Sequence, residues 1–211
     1  MPDAHTHDFR PVGTALPVAE SFYTIQGEGA NTGKAAWFIR LGGCDVRCPW
    51  CDSKSSWNIE AHPLMTIPEI IAPIAASPAR NVVVTGGEPL MHDLSPLCAA
   101  LKDQGYNIFL ETSGTHPLSG CFDWICISPK KHFPPLKEVL AKADELKAVV
   151  NGADSPGWAE QYCRYVSSDC ALLLQPEWNS RETALPVIIE YVKAHPRWRV
   201  SLQTHKYMNI P

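Results

Sequence analysis

Short apolar runs alternate with segments of helical period along this chain. Runs dominated by Val, Ile, Leu and aromatic residues predict strands over 18–25, 35–41, 82–85, 108–111, 124–128, 146–150, 172–175 and 199–203. Between them the spacing predicts helices over 67–76, 95–104, 136–143, 156–166 and 183–194. The first helix opens on Thr66-Ile67-Pro68-Glu69, where threonine and glutamate serve each other's backbone amides and proline costs no hydrogen bond. The second closes on Gly105, which enters the left-handed region without a Cβ clash. The wholly apolar stretches Val82-Val83-Val84 and Leu172-Leu173-Leu174 suit parallel strands covered on both faces. Such alternation implies right-handed βαβ units around one parallel sheet. No repeat or linker interrupts it, so one domain over 16–211 is expected, preceded by a disordered tail over 1–15 that carries His5 and His7.

Polar residues concentrate where these strands end. Val84 runs into Thr85-Gly86-Gly87-Glu88-Pro89, Leu110 into Glu111-Thr112-Ser113-Gly114, and Ile127 into Ser128-Pro129-Lys130. Leu174 leads to Gln175-Pro176-Glu177, and Leu202 to Gln203-Thr204-His205-Lys206. In a parallel barrel such strand ends share one face, and that face carries the site. A complete eightfold barrel takes about 250 residues, and this chain has 211. The fold class expected is therefore α/β, an incomplete TIM-like barrel of about six parallel strands with a reduced set of helices.

Composition narrows the setting without naming a chemistry. A chain 45% hydrophobic and 19% charged is that of an ordinary globular protein. A net charge of −4, with no basic block, offers no footprint for nucleic acid. No apolar run approaches the ~20 residues that span a bilayer, and the opening MPDAHTHDFRPVG holds no apolar signal core. No membrane partner and a cytoplasmic location are expected. The eight cysteines are even in number, but scattered thiols in a chain this long read as small buried hydrophobes rather than a disulfide framework. That reading covers Cys98, Cys121, Cys126, Cys163 and Cys170.

The other three are different. Cys44, Cys48 and Cys51 form Cys-x3-Cys-x2-Cys within a single loop. Three thiolates hold three irons of a 4Fe–4S cube and leave the fourth iron open to a small molecule. Zinc also takes thiolates, yet a closed structural site needs four ligands. Asp52 or His62 would have to complete it, since no second Cys-x2-Cys or His pair stands nearby. Ligand type and geometry favour iron–sulfur and leave zinc as the alternative.

Together with Gly86-Gly87-Glu88-Pro89 on the next strand of the sheet, this triplet resembles the radical S-adenosylmethionine (SAM) superfamily. Over most of the chain, from Phe22 to Pro211, the likeness narrows. Thr24-Ile25-Gln26-Gly27-Glu28-Gly29, Arg40, Cys51-Asp52-Ser53, Ser128-Pro129-Lys130 and the closing Gln203-Thr204-His205-Lys206-Tyr207-Met208-Asn209-Ile210-Pro211 are similar to the 7-carboxy-7-deazaguanine synthase family. The resemblance implies a carbon–nitrogen lyase of the queuosine pathway that uses SAM catalytically. It would convert 6-carboxy-5,6,7,8-tetrahydropterin to 7-carboxy-7-deazaguanine with loss of ammonia. It implies a 4Fe–4S cluster on Cys44, Cys48 and Cys51, a magnesium ion, an external one-electron donor such as a flavodoxin, and a homodimer. By the same resemblance Trp50, Asp52, Gly87, Ser113, Ser128, Pro129, Lys130 and Gln175 contact SAM. Ile25, Gln26, Gly27, Glu28, Arg40, Thr85, His205 and the terminal carboxylate of Pro211 hold the pterin, and Ser53 offers its hydroxyl to magnesium. Two residues depart from the family pattern: Ser113 stands for asparagine in Glu-Thr-Asn-Gly, and Ser53 for a threonine, with the hydroxyl kept.

Each residue also has a purely structural reading. Arg40 pairs with Glu28 or Asp45 at a surface, Ser53 closes a turn, and His205 packs near the surface. Glu88 makes a turn hydrogen bond, Lys130 is an exposed charge beside Lys131, and Trp124 and Trp198 belong to the core. Two rival functions share part of the pattern. A radical-SAM activase that makes a glycyl radical on a partner enzyme keeps the triplet and short barrel, but has no use for the Gln26-Gly27-Glu28-Gly29 opening. A non-catalytic zinc-binding interaction module keeps the cysteines, but leaves polar clusters at five strand ends without a reason.

Overall fold

The computed structural model describes residues 15–152 and 155–211. Apart from Ala15, the expected tail with His5 and His7 lies outside the described residues. Nine strands form one sheet: β1 (Ala15–Ile25), β2 (Ala35–Leu41), β3 (Leu64–Thr66), β4 (Asn81–Gly86), β5 (Asn107–Thr112), β6 (Trp124–Ile127), β7 (Glu145–Val150), β8 (Ala171–Pro176) and β9 (Trp198–Val200). Their order is β3-β1-β2-β4-β5-β6-β7-β8-β9. From β2 onward, β4 to β9 join in parallel. The half-dozen parallel strands expected thus become seven. At one edge β1 runs antiparallel to both β2 and β3, so the sheet is mixed rather than wholly parallel. The physical reason is reach: a dozen residues and usually a helix are needed for a parallel crossover, and β1 and β2 are joined by the turn over 26–34.

The helices are α1 (Ile67–Ala75), α2 (Ser95–Asp103), α3 (Lys137–Leu140), α4 (Glu160–Cys163), α5 (Arg181–Ala194) and α6 (Thr204–Met208). At the start of α1, Glu69 Oε2 accepts from the Thr66 amide at 2.8 Å and from its hydroxyl at 2.7 Å. Gly105 ends α2 with φ +77°. The helix expected over 136–143 shrinks to the single turn of α3. The one expected over 156–166 breaks into a 3₁₀ turn (Pro156–Ala159) followed by α4. The short β3 and α6 carry too few residues for a periodic signal, and neither is expected from the pattern.

Strand alternation gives the sheet two chemically different faces. Ile39, Leu41, Val82, Val84, Ile108, Leu110, Leu146, Leu172 and Leu174 are buried together with Ile70, Ile74, Leu97, Leu101 and Ile188 of the helices. The intervening residues point into the barrel. At its base Ala36, Val83 and Phe109 pack with Phe38 and Trp124. Above that plug the inward residues turn polar: Arg40, Thr85, Glu111, Lys147 and Gln175.

Strands β3 and β9 do not pair, so the barrel stays open in its hydrogen bonding. Loops span the gap instead. The Thr204 amide and hydroxyl both donate to the Gly27 carbonyl, at 2.8 and 3.0 Å, and the Gly29 amide donates to Ser201 Oγ at 3.0 Å. Gly27 is required there, because a Cβ would sit 2.4 Å from His205 Nδ1 and 2.7 Å from its backbone nitrogen. All eight cysteines are free. Cys98 and Cys170 are buried in the main core as expected, whereas Cys126 is buried beside Glu145 on the barrel side and Cys121 is exposed. Among the described residues no helix is long and apolar enough to cross a membrane.

Candidate active site

The strand ends open on a cavity of ≈ 400 Å³. Every site residue singled out from the sequence lines it except Pro129, which is buried without reaching it while Ser128 and Lys130 on either side do. On one wall the loop after β2 carries the three cysteines. Cys44 and Cys48 are buried and Cys51 is half-buried. The Cys51 amide donates to the Cys48 carbonyl at 3.0 Å, and the Ser53 amide to Cys51 Sγ at 3.4 Å. Arg47, at φ +46°, holds the left-handed conformation that lets this loop turn back on itself.

The glycine turn after β4 packs directly on this loop. Gly87 donates to the Leu41 carbonyl at 2.9 Å, and the Glu88 amide to the Gly43 carbonyl at 2.8 Å. Glu88 is 1% exposed. Its carboxylate accepts from the Leu90 amide at 3.0 Å, the Ser113 amide at 2.8 Å, the Ser113 hydroxyl at 2.5 Å and the Thr112 hydroxyl. It is therefore far more than a turn bond: it clamps the β4 and β5 strand ends together. With its hydroxyl donating to Glu88 and meeting Thr115 Oγ1 at 2.9 Å, the Ser113 side chain can only accept from a ligand.

Deep in the cavity Lys147 points inward from β7. Its Nζ donates to Glu28 Oε2 at 2.8 Å and to Glu111 Oε2 at 2.9 Å. Gln203 Nε2 holds Glu28 Oε1 at 2.8 Å, and Gln26 Nε2 reaches Glu111 Oε1 at 3.3 Å. Burial alone would raise the Glu28 carboxyl; the Lys147 ammonium and hydrogen bonds from Lys147, Gln175 and Gln203 reverse that and hold it at about 2. Burial wins at Glu111, whose carboxyl is raised with help from Glu145 and Glu28 against the pull of Lys147.

At the mouth, Asp52 accepts from Lys206 Nζ at 2.9 Å, which outweighs burial and lowers its carboxyl. Burial lowers the His205 imidazole and favours its neutral form. Arg40 pairs through Nε with Glu20 Oε2 at 2.6 Å, not with Glu28 or Asp45, because β1 lies beside β2 and sets Glu20 opposite Arg40. Lys130 is not simply an exposed charge: its Nζ donates to Ser128 Oγ at 2.7 Å.

Residues 38–151, a span that holds the cysteine triplet and the glycine turn, match the model of the radical SAM superfamily. The chain is 48% identical to 7-carboxy-7-deazaguanine synthase of Flavobacterium psychrophilum over 94% of both chains. It is 48% identical to the synthase of that name from Synechocystis sp. over 93% of this chain and 94% of that one. It is 35% identical to the one from Escherichia coli K12, over 92% of this chain and 98% of that one. The crystal structure of QueE from Escherichia coli superposes with a TM-score of 0.79 at 32% identity, covering 89% of this chain and 93% of that one. The chain belongs to the 7-carboxy-7-deazaguanine synthase family of radical SAM enzymes.

Membership of this synthase family implies a 4Fe–4S cluster, SAM, a small-molecule substrate and a reductant. The residues present fit the cluster. Burial pushes the Cys44 and Cys48 thiols up, so a cationic group is needed to make them thiolates. Cys44, Cys48 and Cys51 gather in one small cluster with Val46, Trp50 and Trp57 on the cavity wall. A cube gives each thiolate its own iron and spreads them apart. Glycine at 87 also fits: a Cβ there would meet the Gly43 oxygen at 2.1 Å and Cys44 Cβ at 2.8 Å. Gly87→Ala should push the cysteine loop outward and weaken SAM binding at least about tenfold, or about 1.4 kcal/mol, as read by equilibrium dialysis on cluster-loaded protein. Unchanged affinity would show that the loop yields freely.

The cavity is also lined by residues to which the sequence alone assigned no ligand role, among them Lys147, Glu177, Trp178, Gln203 and Lys206, of which Glu177, Gln203 and Lys206 stand in the polar strand-end runs. One local signal was available. Glu145-Leu146-Lys147 places two charges on the same face of an otherwise apolar strand, which marks that face as facing partners rather than core.

Proposed function

We propose that this chain is a 7-carboxy-7-deazaguanine synthase, converting 6-carboxy-5,6,7,8-tetrahydropterin to 7-carboxy-7-deazaguanine with loss of ammonia. The observation that carries this reading is convergence: residues similar to the family's SAM side and to its pterin side, far apart in sequence, line a single cavity. Cys44, Cys48 and Cys51 would hold the cluster, which with SAM supplies a one-electron cleavage yielding a hydrogen-abstracting radical.

The chain's own residues orient and enclose. Trp50, Asp52, Gly87, Ser113, Ser128, Lys130 and Gln175 would seat SAM, with Pro129 setting the backbone between Ser128 and Lys130 through its fixed φ. Arg40, oriented by Glu20, would present its fork to the substrate carboxylate. Glu28, held ionised, accepts ring N–H groups; Gln26, Thr85 and neutral His205 add hydrogen bonds; Ile25, Gly27 and the Pro211 carboxylate complete the wall. Closing the cavity around the pterin excludes water that would quench radical chemistry. The reading extends to one domain over 16–211, a homodimer, and an electron donor of the flavodoxin kind.

Magnesium, a hard cation that favours oxygen, would bind between the substrate carboxylate and Ser53, whose hydroxyl meets Asp52 Oδ1 at 3.3 Å. Ser53→Ala should raise the magnesium concentration for half-maximal rate several-fold and leave SAM affinity unchanged. An unaltered magnesium dependence would remove Ser53 from the ion. The direct test of the function is anaerobic turnover of cluster-reconstituted protein with SAM, magnesium, dithionite and the pterin, followed by mass spectrometry. Many product molecules per SAM are expected. SAM cleavage without that product would move the assignment to another radical SAM reaction.

A further inference from the structure

Lys147 is a lysine 3% exposed on the inner face of a barrel strand. Taking an ammonium and its carboxylate partners out of water is costly, and a whole buried ionic cluster can often be replaced by well-packed hydrophobic residues without loss of stability. A buried charge at this position therefore calls for a role beyond packing. We propose that Lys147 is the positioning residue of the substrate cavity, one ammonium that keeps Glu28 and Glu111 side by side as acceptors for the N–H-bearing edge of the pterin ring. The inference rests on the functional reading above.

The geometry is specific. Lys147 bridges two carboxylates supplied by different elements, the turn after β1 and strand β5, at 2.8 and 2.9 Å. Each carboxylate has its other oxygen fixed by an amide, from Gln203 on Glu28 and from Gln26 on Glu111. Both carboxylates line the cavity and retain acceptor sites, since a carboxylate has about four lone-pair positions. Other ionisable groups face this cluster. Cys126 and Glu145 lie on the base side, where burial pushes the Cys126 thiol well above its ordinary value and keeps it neutral. Glu145 is engaged by the Ala30 amide, the Trp124 indole and the Cys126 thiol at 3.0, 3.0 and 3.4 Å. Arg40, Asp52, His205 and Lys206 lie along the rest of the cavity wall.

Two neighbouring half-buried carboxylates without a counter-ion repel each other and disfavour joint ionisation. With Lys147 present, Glu28 is held at about 2 and remains an acceptor throughout the neutral range. Without it, burial acts unopposed and raises the carboxyl, and a protonated carboxyl presents a donor to the ring N–H groups. Acceptor capacity is then present above the raised value and lost as pH falls through it.

Calorimetric titration of 6-carboxytetrahydropterin into cluster-loaded protein, with SAM and magnesium but no reductant, reads binding without turnover. The ratio of Lys147→Met to wild-type dissociation constants should grow as pH falls from 8.5 to 6.5, by up to about tenfold per unit. The ligand's own titration cancels in this ratio; beyond burial, the Lys147 ammonium helps lower the His205 imidazole, so both proteins are also compared in a His205→Gln background, where the slope must persist. Lys147→Arg, which keeps the charge, should hold the ratio constant. A Lys147→Met protein that is folded and shows a pH-independent ratio overturns the proposal. If that variant does not fold, Lys147→Met with Glu111→Gln leaves one unpaired carboxylate instead of two; it must show the same slope through Glu28, and a flat ratio there overturns the proposal equally. Failure of wild type to bind the pterin at any pH would overturn the functional reading and this inference with it.

Discussion

Cys48→Ala protein, reconstituted anaerobically with iron and sulfide, should lose the broad visible absorption of a 4Fe–4S cluster and fall at least about a thousandfold in turnover, or about 4 kcal/mol of transition-state stabilisation. Two thiolates cannot hold three irons, and the neighbouring donors are engaged elsewhere. Asp52 is bonded to Lys206 at 2.9 Å, and His132 Nε2 meets the Val46 carbonyl at 3.0 Å. The fold should survive. Cys44, Val46 and Cys48, with Trp50, Cys51 and Trp57, form a small cluster separate from the main core of the sheet and helices. Far-ultraviolet circular dichroism should therefore match wild type. Cys98→Ala is the contrasting control: that thiol is 1% exposed in the main core, so it should lower the melting temperature while leaving iron content intact. Wild-type iron content and turnover in Cys48→Ala would remove the triplet from the chemistry.

Glu88→Ala should be the most damaging single change away from the cysteines. The substitution strands the Leu90 and Ser113 amides and the Thr112 hydroxyl, all on buried residues, and leaves the Ser113 hydroxyl only Thr115 Oγ1 at 2.9 Å. Each unsatisfied buried donor costs about 1–3 kcal/mol, and relaxation recovers part of that, so a net loss of about 3 kcal/mol or more is expected. In a chain of this size that lowers the melting temperature by roughly 6–12 °C. SAM affinity should fall with it, because Glu88 holds the Ser113 turn against the glycine turn that packs on the cysteine loop. Glu88→Gln keeps one carbonyl oxygen but aims an NH2 at donors, and should lie between the two. A melting temperature within 2 °C or so of wild type for Glu88→Ala would show that water reaches these donors after all.

Much of this architecture is legible in the chain because its causes are local. The Thr66 and Glu69 cap and the Gly105 terminus depend on neighbours three residues away or fewer, and both form as their residue types require. Short apolar runs mark the strands of the parallel sheet, and their polar ends mark the face that carries the cavity. The splitting of the helix expected over 156–166 is equally local in hindsight, since Pro156 and Gly157 stand at its start. The antiparallel β1 is a matter of loop length. The partner of Arg40 is a matter of register, which no window along the chain contains.

What the sequence by itself determined is the chemistry: three cysteines at a spacing that suits a cluster, glycines where the backbone must approach closely, and an alternation of strands and helices that puts functional groups on one face. The tertiary structure alone decided how those groups act on one another. Lys147 and Glu28 are 119 residues apart and Gln203 and Glu28 are 175 apart, and each pair meets only because the sheet curls until the turn after β1 reaches the inner face of β7 and the loop after β9. Ligand type and backbone freedom are properties of single residues and survive in a linear string. Ionisation state, hydrogen-bond satisfaction and orientation depend on distance and on the exclusion of water, and these exist only once the barrel has formed.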